Sequence, residues 1–393
     1  MPISYPYTQY GGIWKLSAAS AAQGAGTWAV PPQPHLLSWG GNSTGRLGLG
    51  NTTDYSSPKQ VGSLTTWANL EAGYYSVLAT RSDGTLWSWG QNNYGQLGLG
   101  NTTNYSSPKQ VGALTTWLNI SSGAYHCVAI KTDGTLWAWG YNNRGQLGQS
   151  NVTNYSSPKQ IGSLTTWSKV TAGAYHSAAI KTDGTLWTWG NNVNFNATIV
   201  FGCLGLGTAA SYSSPKQVGS LTDWLTIVGG GYQLYASKTD GSIWSWGYNA
   251  NGQLGLNVST YAFSSPKQIG TLTTWSKIGK NSNGPKVTKT DGTLWAWGLN
   301  SSGELGLGNR TTYSSPKQIG SLTTWISAFS GQSTVALKTD GTLWVWGLGT
   351  SGQLGLGNTT SYSSPVQVGS LTSWQAVFFG NAIGNGNFAI AKT

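Results

Sequence analysis

One phrase, Trp-x-Trp-Gly, recurs along this chain with its second tryptophan at Trp89, Trp139, Trp189, Trp246, Trp297 and Trp346, and a weaker copy, Leu37-Ser38-Trp39-Gly40, precedes them. The intervals are 50, 50, 50, 57, 51 and 49 residues. A Ser-Ser-Pro phrase keeps the same rhythm, with prolines at Pro58, Pro108, Pro158, Pro215, Pro266, Pro316 and Pro365. A third tryptophan stands nine residues beyond each proline, from Trp67 to Trp374. A fixed period of this length marks one supersecondary unit that buries its apolar face only against its neighbours.

Each unit reads as four short strands. In the copy from Thr171, Tyr175 to Thr182 is apolar and β-prone, Asp183-Gly184 is a hairpin turn, and Leu186 to Trp189 returns. A Gly- and Asn-rich loop follows, then Ser-Pro-Lys-Gln-Ile-Gly and Thr-Thr-Trp-Ser-Lys-Val as two more strands. Seven such units predict an all-β fold, a seven-bladed β-propeller of four-stranded blades. The chain ends Ala389-Ile390-Ala391-Lys392-Thr393, which matches the strand before each Asp-Gly turn, and Pro34 to Gly40 matches the strand after it. The two ends are thus expected to pair in one shared blade and close the ring. The expected division is a short arm over 1–33 and a propeller over 34–393.

The tryptophans follow from the same count. Twenty of the 22 fall at repeated positions and are expected in the core between blades, because side chains at i and i+2 leave a strand on one face. Only Trp14 and Trp28 lie outside the repeat. Charged residues are 8% of the 393, and with so many aromatics the chain does not read as disordered. No apolar run reaches the roughly 18 to 20 residues of a membrane span, and the start MPISYPYTQYGG lacks the pattern of a secretion signal.

Material for catalysis is thin. Cys127 and Cys203 make no disulfide framework, and His35, His126 and His176 offer little for a metal site. His126 and His176 are equivalent, but the other copies carry Ser76, Gln233, Gly284, Ser333 and Asn387 there. No phosphate loop or catalytic carboxylate pair stands out. A protein that is not an enzyme and needs no cofactor or metal is expected.

These residues resemble the regulator of chromosome condensation repeat family. Its signature runs apolar, two small residues, Gly, two free positions, His, small, apolar, free, aliphatic. Val170-Thr171-Ala172-Gly173-Ala174-Tyr175-His176-Ser177-Ala178-Ala179-Ile180 fits throughout, and Ile120 to Ile130 departs only at Cys127. The Gly-Gln-Leu-Gly loops, such as Gly95 to Gly98, belong to the same pattern. The resemblance implies a seven-bladed propeller, in agreement with the count of copies. Some members exchange guanine nucleotides on a small GTPase, through irregular insertions and acidic face residues. Here the loops are short, and the acids outside the turn hairpins are Asp54, Glu71, Asp223 and Glu304. A cellular scaffold or exchange factor is therefore the remote alternative.

A second resemblance concerns the arm. Gly12-Ile13-Trp14-Lys15-Leu16, continuing through Ala-rich residues to Gly26-Thr27-Trp28 and Pro31-Pro32, is similar to the N-terminal stretch of many bacteriophage virion proteins. It implies an anchor in which Trp14, Leu16 and Trp28 dock onto other virion subunits, with Trp14 to Ala22 as a short helix.

Two surface features complete the reading. Of the net charge of +11, six units come from one repeated position, Lys59, Lys109, Lys159, Lys216, Lys267 and Lys317, with Val366 in the seventh copy. This ring-like array protects strand edges or attracts an anionic partner such as a cell-surface polysaccharide; nucleic acid is not expected, since no clustered basic stripe appears. Variation among the copies concentrates in the loop after Trp-Gly and the connection before the innermost strand, both expected on one face of the disc. That face is expected to carry Arg46, Gln91, Tyr94, Tyr141, Arg144, Tyr248 and Asn251, with an insertion in Asn191 to Gly207 containing Phe195 and Phe201. The expected function is a structural protein of a phage particle, made in the host cytoplasm, whose propeller attaches to host-surface glycan or protein. A capsid or tail decoration subunit without receptor binding is the alternative.

Overall fold

The computed structural model describes residues 34–193, 200–281, 284–379 and 386–392. Trp14, Leu16, Trp28 and Phe195 lie outside the described residues, as does the helix expected at Trp14 to Ala22. The described residues form 28 strands in seven four-stranded sheets. Strand β1 (Pro34–Gly40) and β2 (Tyr55–Gln60) belong to the last blade; the first complete blade is β3 (Trp67–Ala72), β4 (Ser76–Arg81), β5 (Leu86–Gly90) and β6 (Tyr105–Gln110). Five more blades repeat this meander along the chain.

The ring closes as the matching chain ends require. The final strand, Gly386–Lys392, runs antiparallel to β1 from Pro34 opposite Lys392 to Gly40 opposite Gly386. Together with Trp374–Phe379 and β2 they make the seventh sheet. Among the described residues no terminal blade is left with an open apolar face, which is how a ring avoids unprotected repeats.

The tryptophan phrase builds the seams. Trp39, Trp89, Trp139, Trp189, Trp246, Trp297 and Trp346 are fully buried, each within the apolar layer between two blades. Each indole N–H also crosses to the preceding blade: Trp139 Nε1 donates to the Gln96 carbonyl at 3.0 Å, and Trp189 Nε1 to that of Gln146 at 2.9 Å. The tryptophans of the Trp67 series are 4–7% exposed. The expectation that all twenty are core is corrected for the remaining six. Trp87, Trp137, Trp187, Trp244, Trp295 and Trp344 are only half-buried: each stands two residues nearer the Asp-Gly turn than the seam tryptophan of the same strand, where Trp137, for one, walls an open groove between blades.

A second correction concerns strand order. The strands beginning at Trp67, Trp117 and Trp167 pack side by side, so this series lines the central channel, and the expectation that the variable connection precedes the innermost strand is corrected. The connection entering it, Val111 to Thr116 and its equivalents, hardly varies and lies on the Asp-Gly side, where Thr132 N–H donates to the Thr116 carbonyl. The variable connection is the one leaving the innermost strand, residues 73–75 and their equivalents. It shares a face with the loop after Trp-Gly, as expected for alternate turns of a meander. The Ser-Ser-Pro-Lys-Gln segment is the outermost strand, with a register shift across its proline, so it puts a residue without an N–H where no further strand pairs.

Candidate recognition face

Local chemistry fixes how each loop stands on this face. Gly90 has φ +101°, and a Cβ there would lie 2.4 Å from the Tyr75 carbonyl oxygen. Glycine thus lets the 73–75 turn close over the end of β5, where Gln91 N–H donates to that carbonyl at 2.9 Å. The same bond joins Tyr141 to Tyr125, Asn191 to Tyr175 and Tyr248 to Tyr232. In the second loop Asn92 accepts from Leu97 N–H at 2.9 Å and donates to the Asn101 carbonyl at 3.0 Å. The residue two before the loop glutamine is held by it: Tyr94 N–H donates to Gln96 Oε1 at 2.9 Å, Arg144 N–H to Gln146 Oε1 at 2.9 Å and Asn251 N–H to Gln253 Oε1 at 2.8 Å.

The tyrosines at the turn tips of four successive blades form a row. Ring centroids are 6.0 Å apart for Tyr75 and Tyr125, 6.3 Å for Tyr125 and Tyr175, and 6.2 Å for Tyr175 and Tyr232. Two nests flank the row. Tyr94 lies 5.4 Å from Tyr125 and 4.8 Å from Tyr141, which is 6.3 Å from Tyr175. At the other end Phe201 lies 4.7 Å from Tyr232 and 5.3 Å from Tyr248, which meets Tyr261 at 5.0 Å. Tyr74 is buried beneath, with Ala124 and Ala174. The result is a continuous aromatic arc over four blades, rimmed by amides.

Of the residues expected on this face, Tyr94, Tyr141, Phe201 and Tyr248 join the arc. Arg46 supports it from below: it is 6% exposed, its guanidinium lies 4.8 Å over the Tyr75 ring, and its Nε donates to Thr44 Oγ1. Its expected role as an exposed binding group is corrected, because it is covered. Gln91, Arg144 and Asn251 are half-buried on the same loops. The six lysines of the repeated array are not brought here; they lie on the outermost strands around the rim. Sequence reasoning missed Tyr74, Tyr75, Tyr125, Tyr175, Tyr232 and Tyr261. The signal was present in four triplets that begin at Gly73, Gly123, Gly173 and Gly230 and end in tyrosine; the sixth and seventh copies have Gln332 and Gly386 instead.

The electrostatics of the arc are those of neutral phenols. Burial, reinforced by the neighbouring rings, pushes Tyr74, Tyr125 and Tyr175 above the usual tyrosine range, and burial pushes Tyr232 to about 12. Below the face, burial holds His126 down at about 3 and His176 at about 4. His126 Nε2 meets Ser177 Oγ at 2.9 Å across a blade seam. Cys127 is raised to about 12 by burial, and Cys203 is raised by the same cause. Among the described residues no three His, Cys, Asp or Glu side chains converge as metal ligands.

Seven sheets in a closed ring, with loops of one face bearing an aromatic arc, define a seven-bladed propeller with a loop-built surface at one mouth. The chain belongs to the RCC1-like domain family, which matches residues 35–284, and its later part matches the regulator of chromosome condensation (RCC1) repeat at 291–337 and 340–383. It is 31% identical over 114 residues to the probable E3 ubiquitin-protein ligase HERC6 of Homo sapiens, covering 28% of this chain and 11% of that protein. Against E3 ubiquitin-protein ligase HERC2 of Mus musculus it is 30% identical over 104 residues, 25% of this chain and 2% of that protein. The match therefore spans a small part of these relatives' length. Yeast RCC1 (Prp20), solved bound to Kap60, superposes with a TM-score of 0.81 at 19% identity, covering 93% of this chain and 90% of that one. Human WBSCR16 gives 0.79 at 19% identity, covering 92% and 99%. These two likenesses establish the fold.

Proposed function

We propose that this protein is a non-enzymatic recognition propeller, displayed on a bacteriophage particle by its arm and binding a host-surface protein through the aromatic arc. The observation that carries recognition is the unbroken row from Tyr75 to Tyr232 with Tyr94, 38% exposed, and Tyr261, 44% exposed, at its margins. A contiguous aromatic patch with a polar rim is the chemistry of protein contact surfaces, where tyrosine gives large area at low entropic cost. Yeast Prp20 has this fold and was solved bound to a protein, Kap60, which accords with a protein ligand. The buried, neutral His126 and His176 and the buried, protonated Cys127 and Cys203 do not offer a general base or a nucleophile to solvent, and this supports a binding role.

The particle setting is supported by the arm sequence, with Trp14, Leu16 and Trp28 as the docking residues toward other virion proteins. The experiment compares particles carrying Tyr94→Ala with Tyr141→Ala, particles lacking 1–33, and wild type. The expected result is normal incorporation but adsorption to host cells slowed at least about tenfold for the tyrosine variant, the scale of losing one hot-spot contact. Loss of the arm is expected to remove the protein from particles by mass spectrometry. Incorporation with unchanged adsorption favours a decoration subunit, and absence of the wild-type protein from purified particles overturns the setting.

A further inference from the structure

The half-exposed tryptophans of the rim are held as rigid platforms. Trp137 Nε1 donates to Thr135 Oγ1 at 2.8 Å, and that hydroxyl donates to Asp133 Oδ1 at 2.6 Å. Lys131 Nζ lies 3.6 Å from the Trp137 ring centroid, and Trp117 meets the ring edge-on at 6.1 Å. The same set recurs at Trp187, Trp295 and Trp344 with Thr185, Thr293 and Thr342. A ring fixed on three sides loses little entropy when a ligand stacks on it.

Three of these tryptophans, Trp137, Trp244 and Trp344, wall a groove between neighbouring blades. The groove at Trp137 encloses about 340 Å³ between Leu99, Leu114, Trp117, Trp137 and Pro158, with Gln110 at its edge. Equivalent grooves at Trp344 and Trp244 enclose about 390 and about 380 Å³. These volumes are those of small-ligand sites. Leu114 is 49% exposed, and its counterparts from Leu164 to Leu371 are 43–48% exposed. All seven copies keep this leucine, although the position four residues on drifts through Leu118, Ser168, Leu225, Ser276, Ile326 and Gln375.

The outermost strands that flank this groove carry Lys109 and Lys159. Their Nζ atoms lie 5.4 and 5.6 Å from the Tyr105 and Tyr155 ring centroids, and among the described residues neither has a carboxylate within ion-pair distance. The groove between the sixth and seventh blades departs from the pattern: Leu37 stands in place of the tryptophan and Val366 in place of one lysine. Val366 also flanks the groove at Trp344, which keeps its indole and Lys317.

We propose that the rim is a multivalent belt for an acidic polysaccharide, each groove stacking one sugar ring on its indole while a uronic carboxylate meets the outer-strand lysine. Charge complementarity selects an anionic chain, and the apolar grooves with a flanking amide select sugar rings over a bare polyanion. Repetition around the ring lets one chain engage several grooves, so weak single contacts sum to useful avidity. This belt is separate from the aromatic arc, and neither reading depends on the other.

Surface plasmon resonance on the whole protein tests the belt with polygalacturonate, galacturonic acid, neutral dextran and duplex DNA as probes. Expected is binding of polygalacturonate at least about 100-fold tighter than the monosaccharide, and tighter than dextran or DNA by at least about tenfold. Lys→Gln at 59, 109, 159, 216, 267 and 317 together is expected to reduce binding at least about tenfold without changing thermal stability, because these side chains are exposed. Trp137→Leu with Trp187→Leu, the residue the seventh copy already uses, is expected to lower the number of sites bound per protein. If that variant fails to fold, the lysine set carries the test alone. No binding, equal affinity for DNA or dextran, or binding that survives the six lysine substitutions overturns the proposal.

Discussion

Lys280 Nζ lies 2.6 Å from Glu71 Oε2, although the two residues are 209 positions apart and belong to blades on different sides of the channel. The ammonium also donates to the Ser122 carbonyl at 2.7 Å and to Ser121 Oγ at 3.3 Å. In the fifth copy Lys280 sits in the variable turn where the first four copies end in tyrosine, so the arc stops where this tie begins. It spans the loop-face end of a central cavity of about 230 Å³ whose walls include Asn69, Leu118, Asn119, Phe329 and Phe378.

Removing one partner of this pair leaves a buried charge. Glu71→Gln is expected to cost about 1–3 kcal/mol, since Lys280 is 9% exposed and cannot rehydrate. Lys280→Met is expected to cost less, about 1 kcal/mol, because Glu71 is 28% exposed and can take up water. The double variant Lys280→Met, Glu71→Gln is expected to recover part of the loss. Urea denaturation of the four proteins checks the cycle, and equal additive losses would refute the coupling.

Histidine burial sets the acid limb of stability. His126 and His176 are held neutral at about 3 and about 4 against roughly 6.5 in an unfolded chain. The folded state therefore binds fewer protons than the unfolded state between those values. The histidine penalty is absent above about pH 6.5 and grows as pH drops toward 4, by up to about 1.4 kcal/mol per unit for each histidine. His176 and Lys280 are the charged groups that act on His126, and both depress it further. His126→Ser with His176→Gln, residues other copies use here, is expected to flatten Tm between pH 6.5 and 4.

A second buried cation reports in the opposite range. Lys286 fills the core position of Val128 and Val335, and burial lowers it to about 7, against which the Glu304 carboxylate acts. Above that pH the folded lysine is neutral while the unfolded one stays protonated to about 10.4, so stability is expected to rise from pH 7 toward 10. Lys286→Leu with Glu304→Gln places repeat-typical residues at both positions. It is expected to abolish that rise and to raise stability at pH 7, because the buried Lys286 ammonium has no carboxylate within ion-pair distance among the described residues and its desolvation is lost with it. A thermal unfolding series over this pH range decides it.

Two glycines separate backbone strain from steric exclusion. Gly112 has φ +61°, and a Cβ there would meet no atom within 4 Å, so Gly112→Ala is expected to cost about 1–2 kcal/mol, the left-handed penalty alone. Gly134 has φ +75°, and a Cβ there would lie 2.0 Å from the Thr165 carbonyl oxygen. Gly134→Ala must also move the linker to the next blade, and is expected to cost at least about 2 kcal/mol more. Chemical denaturation of the pair checks the difference.

The sequence by itself determined the blade count, the closure of the ring and the seam tryptophans, because these depend on periodicity along the chain. The Trp139 series is core wherever a repeat of this length stacks, and Pro34 to Gly40 needs the strand at the other end of the chain to complete its hairpin. Only the tertiary structure decided which surfaces carry chemistry. Tyr75 and Tyr125 are 50 residues apart in sequence and 6.0 Å apart in space, since equivalent turns of adjacent blades meet at one mouth. Trp137 and Trp139 look alike in the phrase, yet one is half-exposed at the rim and the other fully buried at the seam. Lys280 and Glu71 break the repeat singly, and a period predicts only what recurs. Their partnership follows from the ring bringing unlike blades across a shared axis.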